Sequence, residues 1–215
     1  MTQTRRFAAL GLILALVAPT ALAAPVSPAT LSAEDQGLVD QAMRALQTLG
    51  EAKGRFVQTD PRGHITKGSF YLKRPGRARL VYDPPAGLLV VADGANVRIE
   101  NSRLKTFESY PLAASPLSIF LARQIHLDRS VIISSVRRNA EGFSLTARDG
   151  RKQAEGEIVL QFSARPVALT GWSIHDLQGQ ATTVRLEGLE AVSGLSPDLF
   201  RLSNPRPAQP GRGKM

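Results

Sequence analysis

The sequence predicts an α+β protein built on a curved, partly closed antiparallel β-barrel, and three observations support this class. From Glu51 onward, apolar and polar residues alternate with a period of two, as in half-buried strands. Tight turns, such as those at residues 60–63 and 149–150, separate short runs that add up to about eleven strands. Helical patterns are too few to cover both faces of such a sheet, so we expect the sheet to curl on itself.

The first element after residue 31 is predicted to be a helix. Ser32 is its N-cap, and Asp35 three positions later forms a weak capping box because Asp replaces the usual Glu or Gln. Most apolar residues that follow fall on one helical stripe, and Gly50 ends the helix.

The strands are predicted in two groups. The first group lies at about residues 51–59, 68–73, 77–82, 88–91, 97–100 and 104–109, and the second at about 131–138, 143–148, 157–162, 167–174 and 182–190. One position is unusual. Phe70 and Leu72 share the apolar face of their strand, and the next residue on that face is Arg74.

A short helix is predicted between the two groups, at residues 115–122. Ser115 is its N-cap and Pro116 its first residue, where the missing N–H costs nothing. The rest of this helix is unusually apolar for an insertion between surface strands. We therefore expect it, with the N-terminal helix, to cover the concave side of the barrel.

The N-terminal residues resemble a secretory signal peptide. Arg5 and Arg6 precede an apolar run at residues 7–17, and small residues at 21–23 fit a cleavage site after Ala23 or Ala24. The apolar run is short for a bilayer span, which needs about 20 residues. We expect a signal peptide at 1–23 that directs export, one domain at 24–204 and a disordered tail at 205–215.

Composition limits the partners. The chain has no Cys, so packing alone must stabilise an exported fold, and its net charge is +9. A basic balance suits a membrane surface or an acidic protein. Export and the lack of a basic helix or stacking platform exclude nucleic acid. Alternatively, the arginines simply solvate the outer faces of strands.

The search for catalytic chemistry is negative. The histidines His64, His126 and His175 lie neither at metal-ligand spacing nor in a triad motif. The sequence has no Gly-rich phosphate loop before its C-terminal tail. We expect no catalytic residue, no metal and no cofactor, and we predict that the protein is not an enzyme.

What remains is apolar surface on the concave face. The predicted inward positions on the strands are Phe56, Phe70, Leu72, Leu80, Tyr82, Val97 and Ile99, and those on the short helix are Leu117, Ile119, Phe120 and Leu121. These residues either surround a cavity or form an ordinary core, because a filled and an empty barrel share one pattern.

Several segments in order resemble the periplasmic outer-membrane lipoprotein carrier protein (LolA) family. They are Phe56-Val57-Gln58, Gly68-x-Phe70 leading into Lys73-Arg74-Pro75, Tyr82, Val91-Ala92-Asp93-Gly94, Ser115-Pro116-Leu117 and Asp198-Leu199-Phe200-Arg201-Leu202. The resemblance covers about residues 31–205. The pattern departs from the family at Ala78 and Leu80, where aromatic residues are common, and this favours a roomier or differently shaped cavity.

The resemblance implies a half-open barrel with a helical lid, Pro116 to Leu121, over a cavity that binds acyl chains. It also implies a monomeric carrier that accepts lipoproteins from an inner-membrane ATP-driven release complex and delivers them to an outer-membrane receptor or membrane acceptor. Arg74 matches the family arginine that holds the empty lid closed. A carrier of another amphiphilic lipid and a regulatory binding module on the same scaffold remain alternatives.

Overall fold

A computed structural model describes residues 31–123 and 130–202. The predicted signal peptide, the predicted tail and His126 lie outside the described residues. The helices are α1 (Ala33–Thr48) and α2 (Leu117–Leu121), with 3₁₀ turns at Leu112–Ala114 and Pro197–Phe200. The strands are β1 (Glu51–Thr59), β2 (Ile65–Lys73), β3 (Arg77–Tyr82), β4 (Leu88–Asp93), β5 (Asn96–Asn101), β6 (Thr106–Pro111), β7 (Val131–Arg138), β8 (Gly142–Asp149), β9 (Glu157–Ser163), β10 (Leu169–His175) and β11 (Ala181–Ala191).

The sheet has eleven antiparallel strands in the order β6-β5-β4-β3-β2-β1-β11-β10-β9-β8-β7. Two meanders, β1–β6 and β7–β11, are therefore joined at the centre by the pairing of the first strand with the last. In the described part of the chain, β6 and β7 each pair on one side only. The architecture is a half-open barrel with few helices, as the sequence predicted.

Helix α1 begins as predicted at Ser32. The backbone N–H of Asp35 donates to Ser32 Oγ at 3.1 Å, and the Ser32 hydroxyl donates to Asp35 Oδ2 at 2.8 Å. The acidic residue of this cap thus accepts from the hydroxyl itself. Leu49 caps the other end through its backbone N–H to the Leu46 carbonyl, one residue before the predicted stop at Gly50.

Strand β6 corrects the predicted strand at 104–109. It starts two residues later, because Asn101 Oδ1 accepts hydrogen bonds from the backbone N–H groups of Arg103 and Leu104 and extends the turn. Lys105 then adopts a positive φ of 54°, which ends the turn. Leu104 consequently lies on a hairpin and not in a strand.

The main core lies between the concave face of the sheet and the two helices. Phe56 is fully buried there and packs edge-on against Tyr82, with ring centroids 5.0 Å apart. This packing requires a glycine at 68, because an added Cβ would approach the Phe56 ring to 2.5 Å and the Val81 carbonyl oxygen to 2.2 Å. The Phe56 ring therefore packs directly on the backbone of β2, on the concave face of the sheet.

Residues 195–200 cross the outer face of the sheet, and we call this segment the C-terminal strap. Lys73 Nζ donates to the Leu195 carbonyl at 2.8 Å, and Arg79 Nη1 donates to the Leu199 carbonyl at 2.9 Å. Phe200 of the strap and Val91 of β4 are buried on this outer side, apart from the main core. The outer face of β3 and β4 is thus covered, whereas the concave face is left for the helices.

Candidate functional site

The concave face encloses an apolar cavity of about 320 Å³. Strands from both meanders and helix α2 contribute to its wall. The lining residues are Gln58, Phe70, Ala78, Leu80, Tyr82, Leu88, Val90, Ile99, Tyr110, Leu117, Phe120, Leu121, Trp172, Ile174, Thr182 and Val184. The wall is therefore almost entirely aliphatic and aromatic, which suits an apolar ligand.

Helix α2 forms one side of this cavity. Ser115 is extended, Pro116 has helical dihedrals, and Ser115 Oγ accepts from the Leu117 N–H at 3.2 Å, so the predicted start of the helix lies within one residue of its assigned bounds. Phe120 is buried and stacks on Trp172, with ring centroids 5.6 Å apart. The helix thus covers the cavity through an aromatic contact with β10.

Arg74 connects the two helices at the end of β2. Its Nε and Nη2 donate to the Ala122 carbonyl at 3.2 and 2.5 Å, and its Nη1 donates to the Leu46 carbonyl. Desolvation by burial lowers the pKa of this guanidinium, yet an arginine stays protonated at any physiological pH. A single cation therefore binds carbonyls at the C-terminal ends of both α1 and α2, where the helix dipoles favour positive charge.

The side chain of Arg74 lies outside the wall of the cavity. Arg74 follows the last residue of β2 and does not line the cavity. Its side chain lies between helix ends because the backbone N–H of Arg74 already bonds to the Gly50 carbonyl at 2.8 Å, next to the end of α1. Arg74 therefore bonds to the residue directly after α2 without lining the cavity, and its role in holding the lid closed stays a prediction.

The profile of the family described as Outer membrane lipoprotein carrier protein LolA matches residues 47–203. The chain belongs to this family. Among curated LolA-family proteins, an outer-membrane lipoprotein carrier protein of Nitrosospira multiformis is 27% identical over 160 residues, covering 70% of this chain and 76% of the relative. One of Actinobacillus pleuropneumoniae serotype 3 is 28% identical over 171 residues, covering 76% and 73%.

A solved structure is also similar in outline. The crystal structure of the LolA superfamily protein NE2245 from Nitrosomonas europaea aligns with a TM-score of 0.46 at 8% identity, covering 78% of this chain and 97% of the other.

The structure divides the predicted cavity residues of this LolA-family chain into two sets. Phe70, Leu80, Tyr82 and Ile99 line the cavity, and so does Ala78, at a departure from the family pattern. Phe56, Leu72 and Val97 do not line it and are fully buried in the core. They share the concave face with the lining residues, but other side chains cover them, so period-two alternation alone could not separate the two sets.

The predicted lid residues divide in the same way. Leu117, Phe120 and Leu121 line the cavity, whereas Ile119 faces a smaller neighbouring cavity together with Ser118. Pro116 is buried at the start of the helix and lines neither of these two cavities. A five-residue helix cannot present all its apolar side chains to one side, which explains this division.

Sequence reasoning missed the wall that β10 and β11 contribute. Trp172, Ile174 and Val184 line the cavity, and Trp172 also packs on Phe70 with ring centroids 5.5 Å apart. Period-two alternation within these strands was an available signal. Their place opposite the first meander depends on the pairing of β1 with β11, which no local pattern reveals.

Two polar side chains of the wall, Tyr82 and Gln58, bond to each other. The Tyr82 hydroxyl donates to Gln58 Oε1 at 2.6 Å. Burial is the main cause that raises the pKa of Tyr82 to about 12, so the phenol stays neutral at physiological pH. The wall consequently offers a ligand mostly apolar contacts and a few neutral polar groups, because none of the described residues that line it is Asp, Glu, Lys, Arg or His.

Residues 31–123 and 130–202 contain neither a metal-binding cluster nor a helix that could span a membrane. Within these ranges, no three histidine, aspartate or glutamate side chains are grouped so that they could hold a metal ion. Over the same ranges, no helix combines the length and the apolar character that a membrane span requires.

Proposed function

We propose that this chain is a periplasmic carrier that shields the acyl chains of lipoproteins leaving the inner membrane and delivers them to the outer membrane. The observation that carries the proposal is the apolar cavity on the concave face, covered by α2. Family membership and relatives named as outer-membrane lipoprotein carrier proteins support the class of cargo. An inner-membrane ATP-driven release complex would load the carrier, and an outer-membrane receptor or membrane acceptor would unload it.

The size of the cavity favours a lid that moves on loading. At about 320 Å³ it lies at the lower end of the range for pockets that hold one small ligand, roughly 300–1,000 Å³. Several acyl chains need more space than this. Leu117, Phe120 and Leu121 form one wall, so displacement of α2 would enlarge the cavity without disturbing the sheet.

A carrier must also release its cargo. Burying acyl chains is favourable by about 0.8 kcal/mol per CH₂ group, so complete burial of several chains would bind them with tens of kcal/mol. Such cargo would never leave. Part of that free energy must therefore be spent on opening the lid or lost through incomplete burial.

The contacts that close α2 supply this opposing free energy. Opening α2 would separate Phe120 from Trp172, and would break the Arg74 hydrogen bonds to the Ala122 carbonyl together with the bond from the Gly76 N–H to the Leu121 carbonyl, which measures 2.8 Å. Because the two guanidinium bonds share one carbonyl oxygen, together they are worth about 1.5–3 kcal/mol. These contacts re-form when cargo leaves, so they lower the net affinity and assist release.

Native mass spectrometry of the protein purified from cell envelopes tests the proposal. We expect a fraction of the carrier to hold an intact lipoprotein. Recovery of only another amphiphilic lipid would assign a different cargo, and recovery of no bound molecule, even after a block in transfer to the outer membrane, would contradict the proposal.

A second test uses the single tryptophan of the chain, Trp172. Because its ring stacks on Phe120 of the lid, we expect a triacylated lipopeptide to change its fluorescence with a saturable dependence on concentration. The same peptide without acyl chains is the control and should cause no change.

A further inference from the structure

One end of the barrel has a distinctive surface. Because the strands are antiparallel, the connections β1–β2, β3–β4, β5–β6, β8–β9 and β10–β11 all lie at the same end of the sheet. We define the hairpin rim as residues 60–65, 83–87, 102–105, 150–156 and 176–180, which comprise these connections and the first residue of β2. The opposite end carries Arg74 and the end of α1.

The cavity lies toward the hairpin rim. Five of its lining residues, Gln58, Tyr82, Leu88, Ile174 and Thr182, occupy the last or first two positions of their strands at this end. A ligand that entered between these strand ends would reach Phe120 and Trp172 deeper in the barrel. The hairpin rim therefore surrounds the end of the barrel nearest to these five lining residues.

Large apolar side chains project from this rim. Ile65, Leu104 and Leu177 are 64%, 72% and 67% exposed, and they account for three of the four exposed large hydrophobic residues in the described ranges. A single exposed aliphatic residue needs no explanation, but three on separate hairpins at one end form a pattern. From the sheet order and a strand spacing of about 4.8 Å, Ile65 lies roughly 10–12 Å from Leu177 and roughly 17–19 Å from Leu104 along the curved rim.

The acidic residues of the rim are mostly engaged within the protein. Asp60 accepts from the backbone N–H groups of Arg62 and His64, and Asp176 accepts from those of Gln178 and Gln180. These bonds hold the carboxylates against their own hairpins.

The other two rim acids differ from each other. Asp83 forms an ion pair with Arg55 on the outer face of the sheet. Glu155 is exposed and forms no ion pair with any of the described residues.

Most cations of the rim form no ion pair with another described residue. Arg103 donates to the Pro85 carbonyl. The exposed side chains of Arg62, Lys105, Arg151 and Lys152 have no ion-pair partner among the described residues. The rim thus combines separated aliphatic side chains with unpaired positive charges, the combination that binds an anionic lipid surface.

We propose that the hairpin rim docks on the surface of a bilayer that contains anionic phospholipids, with Ile65, Leu104 and Leu177 inserted at the interface. Docking in this orientation directs the cavity toward the membrane. The benefit of this docking rests on the proposed carrier function, but the rim can bind a bilayer without any cargo. Three separated contact points around a curved rim match a flat surface better than the groove of an acidic protein.

The test is cosedimentation with vesicles of phosphatidylethanolamine and phosphatidylglycerol at 3:1. The protein is purified from cells that express the full chain. We expect binding that weakens at 500 mM NaCl and is lost with pure phosphatidylcholine vesicles. The combined variant Ile65→Ser/Leu104→Ser/Leu177→Ser should bind at least tenfold more weakly. These side chains are exposed, so folding should be preserved, which circular dichroism checks.

A matched pair of charge variants separates the rim from general basicity. Arg62→Glu/Lys105→Glu alters the rim, whereas Arg137→Glu/Arg165→Glu makes the same change in charge at the opposite end of the sheet. Only the first pair should lose vesicle binding. Equal losses from both pairs, or no binding by the unaltered protein, would overturn the proposal.

Two other outcomes identify what failed. If rim variants bind vesicles normally but no longer accept cargo from inner-membrane preparations, the rim contacts a protein and the bilayer proposal is wrong. If the Trp172 assay shows no lipopeptide binding while vesicle binding depends on the rim, the carrier function fails and membrane docking stands.

Discussion

The guanidinium of Arg74 donates two hydrogen bonds to one carbonyl oxygen, that of Ala122 directly after the lid helix. The same side chain also donates to the Leu46 carbonyl in the last turn of α1. One residue therefore links the strand β2 to both helices that cover the concave face. If α2 opens on loading, the two bonds to Ala122 break together with the bond from the Gly76 N–H to the Leu121 carbonyl.

We predict that Arg74→Leu loads cargo but releases it slowly. Without the bonds to Ala122, the closed form loses about 1.5–3 kcal/mol, so the loaded form is favoured and transfer slows about tenfold or more. Transfer of a fluorescent triacylated lipopeptide to acceptor vesicles measures this rate. An unchanged rate would contradict the proposal that Arg74 holds the lid helix closed.

The control for this variant is Arg79→Leu. Arg79 also donates to a backbone carbonyl, that of Leu199, but on the outer face of the sheet and away from the lid. Both substitutions should lower the thermal midpoint, because each leaves a carbonyl without its donor. Only Arg74→Leu should slow transfer.

We predict that Phe120→Glu abolishes loading. Phe120 is buried against Trp172, so a carboxylate at this position would have to be desolvated within an apolar wall. Phe120→Leu keeps the wall apolar and should still load. Ser118→Glu places the same charge on the same helix but facing the smaller cavity, and lipopeptide binding to this variant should be near normal.

We predict opposite effects on stability for two glycine-to-alanine substitutions. Gly68→Ala forces a Cβ into the Phe56 ring and the Val81 carbonyl, and should destabilise the fold by about 1–3 kcal/mol or more. Gly37→Ala lies inside α1 with open space around the new Cβ, and should stabilise by up to about 1 kcal/mol. Urea denaturation measures both, and equal effects would show that the Phe56 packing is wrong.

We predict that acid loosens the C-terminal strap through Glu51. A hydrogen bond from Lys73 is the main cause that lowers the pKa of Glu51, and the Leu195 N–H donates to its other oxygen at 2.7 Å. A lowered pKa in the folded state gives stability that is present above the ordinary value of about 4.3 and is lost as pH falls below it. The protection factor of the Leu195 amide, which is its intrinsic exchange rate divided by its observed rate, should therefore fall below about pH 4.3.

The control for this pH dependence is a pair of amide variants. Glu51→Gln should exchange at Leu195 with little dependence on pH beyond the intrinsic rate. Glu190→Gln removes a carboxylate from an exposed ion pair with Lys53 at 3.6 Å and should behave like the unaltered protein. Equal pH dependence in all three proteins would exclude Glu51 as the responsible group.

Local chemistry in the sequence was enough to predict the strands, apart from the bounds of β6, as well as the cap at Ser32 and the apolar character of the concave face. Alternation, turn residues and caps act over a few neighbouring positions, so they are visible without the fold. The same signals placed Phe70, Leu80 and Ile99 on the concave face and made Arg74 an anomaly on its strand.

Only the tertiary structure decided which concave residues surround open space and which are covered. Phe56 and Leu72 follow the same alternation as Phe70, yet they are packed and Phe70 borders the cavity. The contribution of Trp172 and the bond from Arg74 to Leu46 likewise depend on how the two meanders close and how the helices settle on them. These contacts join distant parts of the chain, and their geometry follows from the closure of the whole sheet and not from any local pattern.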